Sequence, residues 1–176
     1  AEFGKIICIC AGYFFTNENG EIQLKIKQIA GDDEKDILIQ FTALCDKLYK
    51  QQKNFVYAGH NIREFDIPYI CRRMMILQVP LPAYLQIQGA KPWDIQMLDT
   101  MQWWKFGDYK NYVSLHLLAT VLQVPTSKTD MDGSMVQHVY YKEKNLEKIA
   151  AYCCRDVAVV GNIILRFRNL PLLKEE

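Results

Sequence analysis

Lys5-Ile6-Ile7-Cys8-Ile9-Cys10-Ala11-Gly12-Tyr13-Phe14, then Asn17-Glu18-Asn19-Gly20, then Ile22-Gln23-Leu24-Lys25-Ile26-Lys27, is the stretch that decides the fold. The first run is rich in β-branched and aromatic residues and apolar on both faces, as a strand covered on two sides would be. The tetrapeptide carries turn chemistry. In the last segment Ile22, Leu24 and Ile26 alternate with Gln23, Lys25 and Lys27, the pattern of a half-buried strand. Residues 5–28 therefore predict an antiparallel hairpin.

Beyond the hairpin the period changes. Asp32-Asp33-Glu34 supplies helix-start acids, and Ile37, Phe41, Leu44, Cys45 and Leu48 follow at helical spacing. Asn54–Gly59 predicts a short strand that ends in His60-Asn61, and Ile67, Ile70, Met74 and Leu77 predict the next helix. Pro80, Pro82 and Pro92 punctuate a looser stretch, and Met97-Leu98-Asp99 predicts a further short strand. Ser114 caps a helix through Leu115, Leu118 and Leu122. Residues 125–144 read as a long loop with one helical turn. Asn145 starts a final helix with a stripe of Leu146, Ile149, Cys153, Val157, Val160, Ile164 and Phe167. A hairpin followed by helices interleaved with short strands indicates an α/β fold, a mixed β-sheet with helices on both faces.

The 176 residues are 50% apolar, enough to bury one core, so a single domain over 1–176 is expected. A net charge of +1 gives no global field that announces a polyanion, although a carboxylate metal site would offset basic residues elsewhere. The longest apolar runs fall far short of the ~20 residues of a membrane span, and no charged, apolar leader opens the chain. The six cysteines match neither a zinc spacing nor a compact disulfide framework. They read as reduced core thiols of a cytoplasmic protein.

Two constellations could carry chemistry. His60-Asn61-Ile62-Arg63-Glu64-Phe65-Asp66-Ile67-Pro68 places a polar cluster at a strand-to-helix junction, where open α/β sheets bind ligands. Capping of the helix by Asp66 is the other reading. On the last helix Tyr152 and Asp156 stand one turn apart on one side. Asp156 lies about 60° from the centre of the apolar stripe, where an unpaired carboxylate is costly. Arg155 points roughly 100° further round, so a divalent metal compensates Asp156 better; a hydrogen bond to a nearby backbone or hydroxyl group is the alternative.

In order, Asn61-x-x-x-Phe65-Asp66 and Tyr152-x-x-x-Asp156 resemble the second and third exonuclease motifs of family-B DNA polymerases, the third in its tyrosine form. Lys105–Lys110 and Asp132-Gly133-Ser134-x-Val136 extend the resemblance to the stand-alone bacterial proteins described as predicted 3′–5′ exonucleases related to that domain. The resemblance runs from Phe3 to Leu173 and implies a ribonuclease H-like (DnaQ-type) fold. It implies metal-dependent removal of nucleotides from a 3′ end, with single-stranded DNA as substrate. Two Mg²⁺ or Mn²⁺ ions would be held by four carboxylates, Asp66 and Asp156 among them. Tyr152 would orient the attacking water, and Asn61 and Phe65 would position the terminal nucleotide.

The sequence departs from the family in one respect. No Asp-x-Glu, the family's first motif, lies on any strand candidate near the N-terminus. The expectation is a sequence that begins after that strand and lacks two of the four carboxylates, with loss of the motif as the alternative. Exoribonuclease activity and an inactive nucleic-acid-binding module are the competing functions. Trp93, Trp103 and Trp104 are read as packing residues, and Arg72-Arg73 as either phosphate contacts or a solvated face.

Overall fold

A computed structural model describes residues 1–51, 56–91, 94–108, 110–126 and 131–174. In chain order the elements are β1 (Cys8–Thr16), β2 (Ile22–Ala30), α1 (Glu34–Gln51), β3 (Tyr57–Gly59), α2 (Asp66–Ile76), a 3₁₀ turn (Ala83–Leu85), β4 (Met97–Asp99), α3 (Thr100–Lys105), α4 (Leu115–Val121), a 3₁₀ turn (Gly133–Met135), α5 (Val136–His138), a π-helical turn (Val139–Glu143) and α6 (Leu146–Phe167). The fold is α/β, with two two-stranded sheets and helices among the described residues, consistent with a ribonuclease H-like exonuclease fold. Both pairing senses occur: β1–β2 is antiparallel and β3–β4 parallel. The chain groups into two compact units, Ala1–Ile7 with Gly31–Phe106 and Cys8–Ala30 with Gly107–Glu176.

In the second unit the hairpin is in register from Cys8↔Ala30 to Thr16↔Ile22. Its turn closes because the Asn17 side chain accepts the N–H groups of Asn19 (3.0 Å) and Glu21 (2.9 Å). Helix α6, capped by Asn145 Oδ1 on the Lys148 N–H at 2.9 Å, packs on both strands. Close approach is needed at Gly161, where a Cβ would stand 3.1 Å from Leu24 and 3.5 Å from Phe14. Burial on α6 is broader than a single stripe, for Gly161, Asn162, Ile163, Ile164 and Leu165 are all buried in succession. Asn162 tolerates this because its Oδ1 accepts the Leu173 N–H at 2.8 Å, which ties down the C-terminal segment.

In the first unit α1 begins where the Asp33 side chain accepts the N–H groups of Lys35 and Asp36. Ile37, Leu38, Phe41 and Cys45 bury its inner face, and α2 contributes Ile67, Ile70 and Met74. Between these helices lies a buried ion pair. Arg73 donates Nε–H to Glu34 Oε1 at 2.8 Å and Nη2–H to Glu34 Oε2 at 2.6 Å, and both residues are 7% exposed. Glu34 Oε1 also accepts the Ile6 N–H at 2.8 Å, while Arg73 Nη1 donates to the carbonyls of Ala1 (3.0 Å) and Glu2 (3.3 Å). Arg73 is thus a structural cation and is not turned to phosphate, whereas Arg72 is exposed.

Two other expectations change. Residues 131–144 are not a loop with one turn: Asp132 caps consecutive 3₁₀, α and π turns through Glu143, so the polar composition marks helix caps. The short strand expected over Asn54–Gly59 is described only at Tyr57–Gly59. Asn54, Phe55, Pro92, Trp93, Tyr109 and the stretch 127–130 lie outside the described residues. Among the described residues no helix is long and apolar enough to cross a membrane.

Burial raises the Glu34 carboxyl, but the hydrogen bonds from Arg73 and Ile6 outweigh it and hold the group below the usual carboxylate range. A carboxyl with a depressed folded pKa adds stability above its unfolded pKa and loses it as pH falls through the folded one. Glu34→Ala should cost about 3–5 kcal/mol at neutral pH, because it strands a buried guanidinium. The Glu34→Leu/Arg73→Met double variant should recover much of that loss and flatten the acid limb of a pH–stability curve from urea denaturation. A single variant as stable as the parent would refute the assignment.

Candidate active site

The strand-to-helix junction is built around one buried carboxylate that the sequence reading passed over. Parallel pairing in register Gly59↔Asp99 sets the end of β4 beside the end of β3. Asp99 is 1% exposed. Its Oδ1 accepts the N–H groups of Asn61 (2.9 Å), Met101 (3.0 Å) and Gln102 (3.4 Å), and its Oδ2 accepts that of Arg63 (3.2 Å). The same carboxylate therefore caps α3 and clamps the loop before α2. Its only sequence signal was an Asp at the end of a short strand, just before Thr100.

The clamp shapes the loop that follows. Asn61 adopts φ +58°, a left-handed conformation that asparagine tolerates better than most residues. Its carbonyl accepts the N–H groups of Glu64 (3.3 Å) and Phe65 (3.0 Å). Gly59 leaves room for this turn, since a Cβ there would stand 2.8 Å from the Ile62 side chain. The Asn61 side-chain Oδ1 is buried without a hydrogen-bond partner among the described residues. Phe65 is 60% exposed, and its ring lies 5.9 Å from that of Tyr69. Asp66 is not the N-cap; Phe65 holds that place, and Asp66 is the exposed first residue of α2. Its carboxylate there benefits from the positive end of the helix dipole. His60, beside the motif, sets Nδ1 2.9 Å from Thr100 Oγ1, which also donates to the Gly59 carbonyl at 3.3 Å.

On α6, Tyr152 and Asp156 are both half-buried and hydrogen-bonded to each other. Burial and the neighbouring Asp156 push the Tyr152 hydroxyl up to about 12, so it stays a donor at neutral pH. Burial also raises the Asp156 carboxyl, against the Tyr152 hydrogen bond, which lowers it. Among the described residues no basic side chain comes within ion-pair distance of Asp156. Arg155 is the last and smallest of the influences on its pKa, and the Arg155 Nε is itself buried without a partner among the described residues. A half-buried carboxylate whose described partner is one hydroxyl keeps oxygen lone pairs for a hard cation, so the donor chemistry fits Mg²⁺ or Mn²⁺.

The structure thus brings Asn61, Phe65 and Asp66 together on one loop-to-helix segment, and Tyr152 with Asp156 on one helix face. His116 and His138 are exposed and belong to neither group. Asp99→Asn should destabilise the protein by about 1–3 kcal/mol, because an amide nitrogen would then face a backbone N–H that loses its acceptor. Chemical denaturation measures the loss, and amide exchange should rise at Asn61 and Arg63 before the rest of the first unit. Unchanged exchange at those two amides would show that the clamp is dispensable.

No curated protein and no solved structure matches the chain. A family described as "Predicted 3'-5' exonuclease related to the exonuclease domain of PolB" matches residues 1–171. That span contains both motifs, the Asp99 clamp and the hairpin, and the chain therefore belongs to this family of predicted 3′–5′ exonucleases.

Proposed function

We propose that residues 1–176 act as one domain of a metal-dependent 3′–5′ exonuclease that hydrolyses single-stranded DNA. Family membership implies a nucleic-acid substrate, and exonuclease domains of this kind generally use divalent metals. The observation that supports the reading most directly is the Tyr152–Asp156 pair: a half-buried carboxylate held by a hydroxyl and matched by no basic side chain among the described residues. Six free cysteines agree with a reducing, cytoplasmic setting.

In this reading Asp66 and Asp156 are two of the carboxylates that hold a pair of divalent ions. Bound there, Mg²⁺ or Mn²⁺ would supply positive charge to the scissile phosphate and acidify the attacking water. The chain's own groups do the rest. Tyr152, protonated at neutral pH, gives its one hydrogen to Asp156 and orients that water through the hydroxyl oxygen, which accepts from it. Phe65 offers an exposed ring on which the terminal base stacks, with a typical value of about 1–3 kcal/mol per base. Asn61, in the turn just before Phe65, helps position the terminal nucleotide, its amide turning toward the sugar or phosphate.

The test is a 5′-labelled oligonucleotide resolved on a gel with Mn²⁺ or Mg²⁺. Because Asp66 and Asp156 are two of the four carboxylates the family uses, the 176-residue chain by itself should bind Mn²⁺ weakly and cleave little. A version with a strand carrying Asp-x-Glu placed ahead of residue 1 should ladder the substrate from its 3′ end. In that version Asp156→Ala should abolish cleavage, and Tyr152→Phe should slow it with little loss of metal binding. Asp156→Asn should melt higher than the parent without metal and gain less from Mn²⁺. Robust cleavage that survives Asp156→Ala would refute the assignment. An extended version that cuts RNA and not DNA would make it an exoribonuclease, and one that cuts neither would make it a binding module.

A further inference from the structure

A cluster of thiols in the second unit has no place in this chemistry. Alternate strand residues share a face, so Cys8 and Cys10 both project from the same side of β1, and their sulfurs lie 3.9 Å apart. Helix α6 presents Cys153 and Cys154 to them. The Cys153 sulfur completes a trio with Cys8 and Cys10 in which all three lie within 4.8 Å of one another. The Cys154 sulfur is 2.6 Å from that of Cys10. Cys8, Cys10 and Cys153 thus converge from two elements that pack directly on each other, and Cys154 touches this trio through Cys10 but stands outside the 4.8 Å grouping.

We propose that these four thiols form a binding site for one thiophilic dication, Zn²⁺, with Cys8, Cys10 and Cys153 as its core ligands and Cys154 as the fourth. Sulfurs at about 2.3 Å from a tetrahedral zinc stand about 3.8 Å from one another. The Cys8–Cys10 pair already spans one such edge, and the trio needs only small rotamer changes to span three. For Cys154 to become the fourth ligand its side chain must turn, opening the Cys10–Cys154 pair by about 1 Å and bringing its sulfur toward Cys8 and Cys153. Thiolate ligands select zinc over the hard cations that carboxylates prefer, so the site is chemically separate from Asp66 and Asp156. On binding, sulfur–metal bonds replace S–H bonds, the protons leave to solvent, and no oxidation state changes. The ion would bolt α6 to the hairpin one residue from Tyr152 and fix the rotation of the face that carries Tyr152 and Asp156. Sequence spacing hid the site, because Cys-x-Cys on a strand and Cys-Cys on a distant helix match no compact zinc pattern.

The experiment uses the chain purified under reducing conditions, stripped of metal and titrated with Co²⁺ as a spectroscopic substitute for zinc. One Co²⁺ per chain should bind, with thiolate-to-cobalt charge transfer in the near ultraviolet and the red d–d bands of a tetrahedral site. Zn²⁺ should then bleach the spectrum, and an equal dose of Mg²⁺ should not. Cys8→Ser and Cys153→Ser should lose the charge-transfer band, while Cys71→Ser, a thiol of the other unit, should keep it. If the ligand variants fail to fold, alkylation of the parent chain read by mass spectrometry decides the matter. Zn²⁺ should protect Cys8, Cys10, Cys153 and Cys154 and leave Cys71 reactive. Asp156→Ala should keep the cobalt spectrum, so failure of the exonuclease reading and failure of this one are distinguishable. A missing charge-transfer band, identical alkylation with and without Zn²⁺, or a Cys10–Cys154 disulfide in the freshly isolated chain in place of metal would overturn the proposal.

Discussion

The Asp99 carboxylate governs the geometry of the first unit's functional face. Four backbone N–H groups converge on it, two from the loop before α2 and two from the start of α3. A buried carboxylate is costly unless its lone pairs are filled, and charge-assisted bonds to backbone donors are among the stronger ways to fill them. Because the donors come from two segments, the same charge that starts one helix also fixes the turn that leads into another. The left-handed Asn61, the outward Phe65 and the position of Asp66 at the head of α2 all follow from where that turn is held.

Three shielded carboxylates in this chain are satisfied in three ways, and the contrast is informative. Asp99 is saturated by backbone donors and Glu34 by a bidentate guanidinium with an added backbone N–H. Asp156 has a tyrosine hydroxyl. Structural carboxylates tend toward full hydrogen-bond complements, since each unfilled lone pair away from water costs stability. A carboxylate left short of donors costs the protein stability, and such sites are where ligands and metals are usually bound. That gradation, more than any motif, sets the surroundings of Asp156 apart from those of the other two.

Much of this was legible in the residues. The hairpin, its turn and the caps at Ser114 and Asn145 follow local rules of alternation and side-chain-to-backbone bonding, which sequence carries directly. Asp99 was not legible as a clamp, because its partners are main-chain amides 36 and 38 positions away that any residue type would supply. Arg73 looked the same as Arg72 in sequence; only the orientation of α2 sends one into the core and leaves the other in water. The polar stretch before α6 read as a loop since Asp, Gly and Ser favour turns, yet here they cap short helical turns. The four thiols escaped notice for a related reason: β1 and α6 bring them together, and no local spacing does.

The parallel pairing of β3 with β4 also imposes an order of events in time. A hairpin such as β1–β2 closes through a local turn and forms in about 1–10 μs. The Gly59↔Asp99 pairing must instead draw together positions separated by the whole of α2 and the prolines after it, a slower kind of closure. During synthesis at about 5–20 residues per second, Asp99 leaves the ribosome roughly 2–8 s after Asn61. Throughout that interval the loop at Asn61 and Arg63 is exposed with its amides paired only to water. The nascent chain therefore passes through a stage in which its hairpin is formed while the segment 61–66 has no fixed shape.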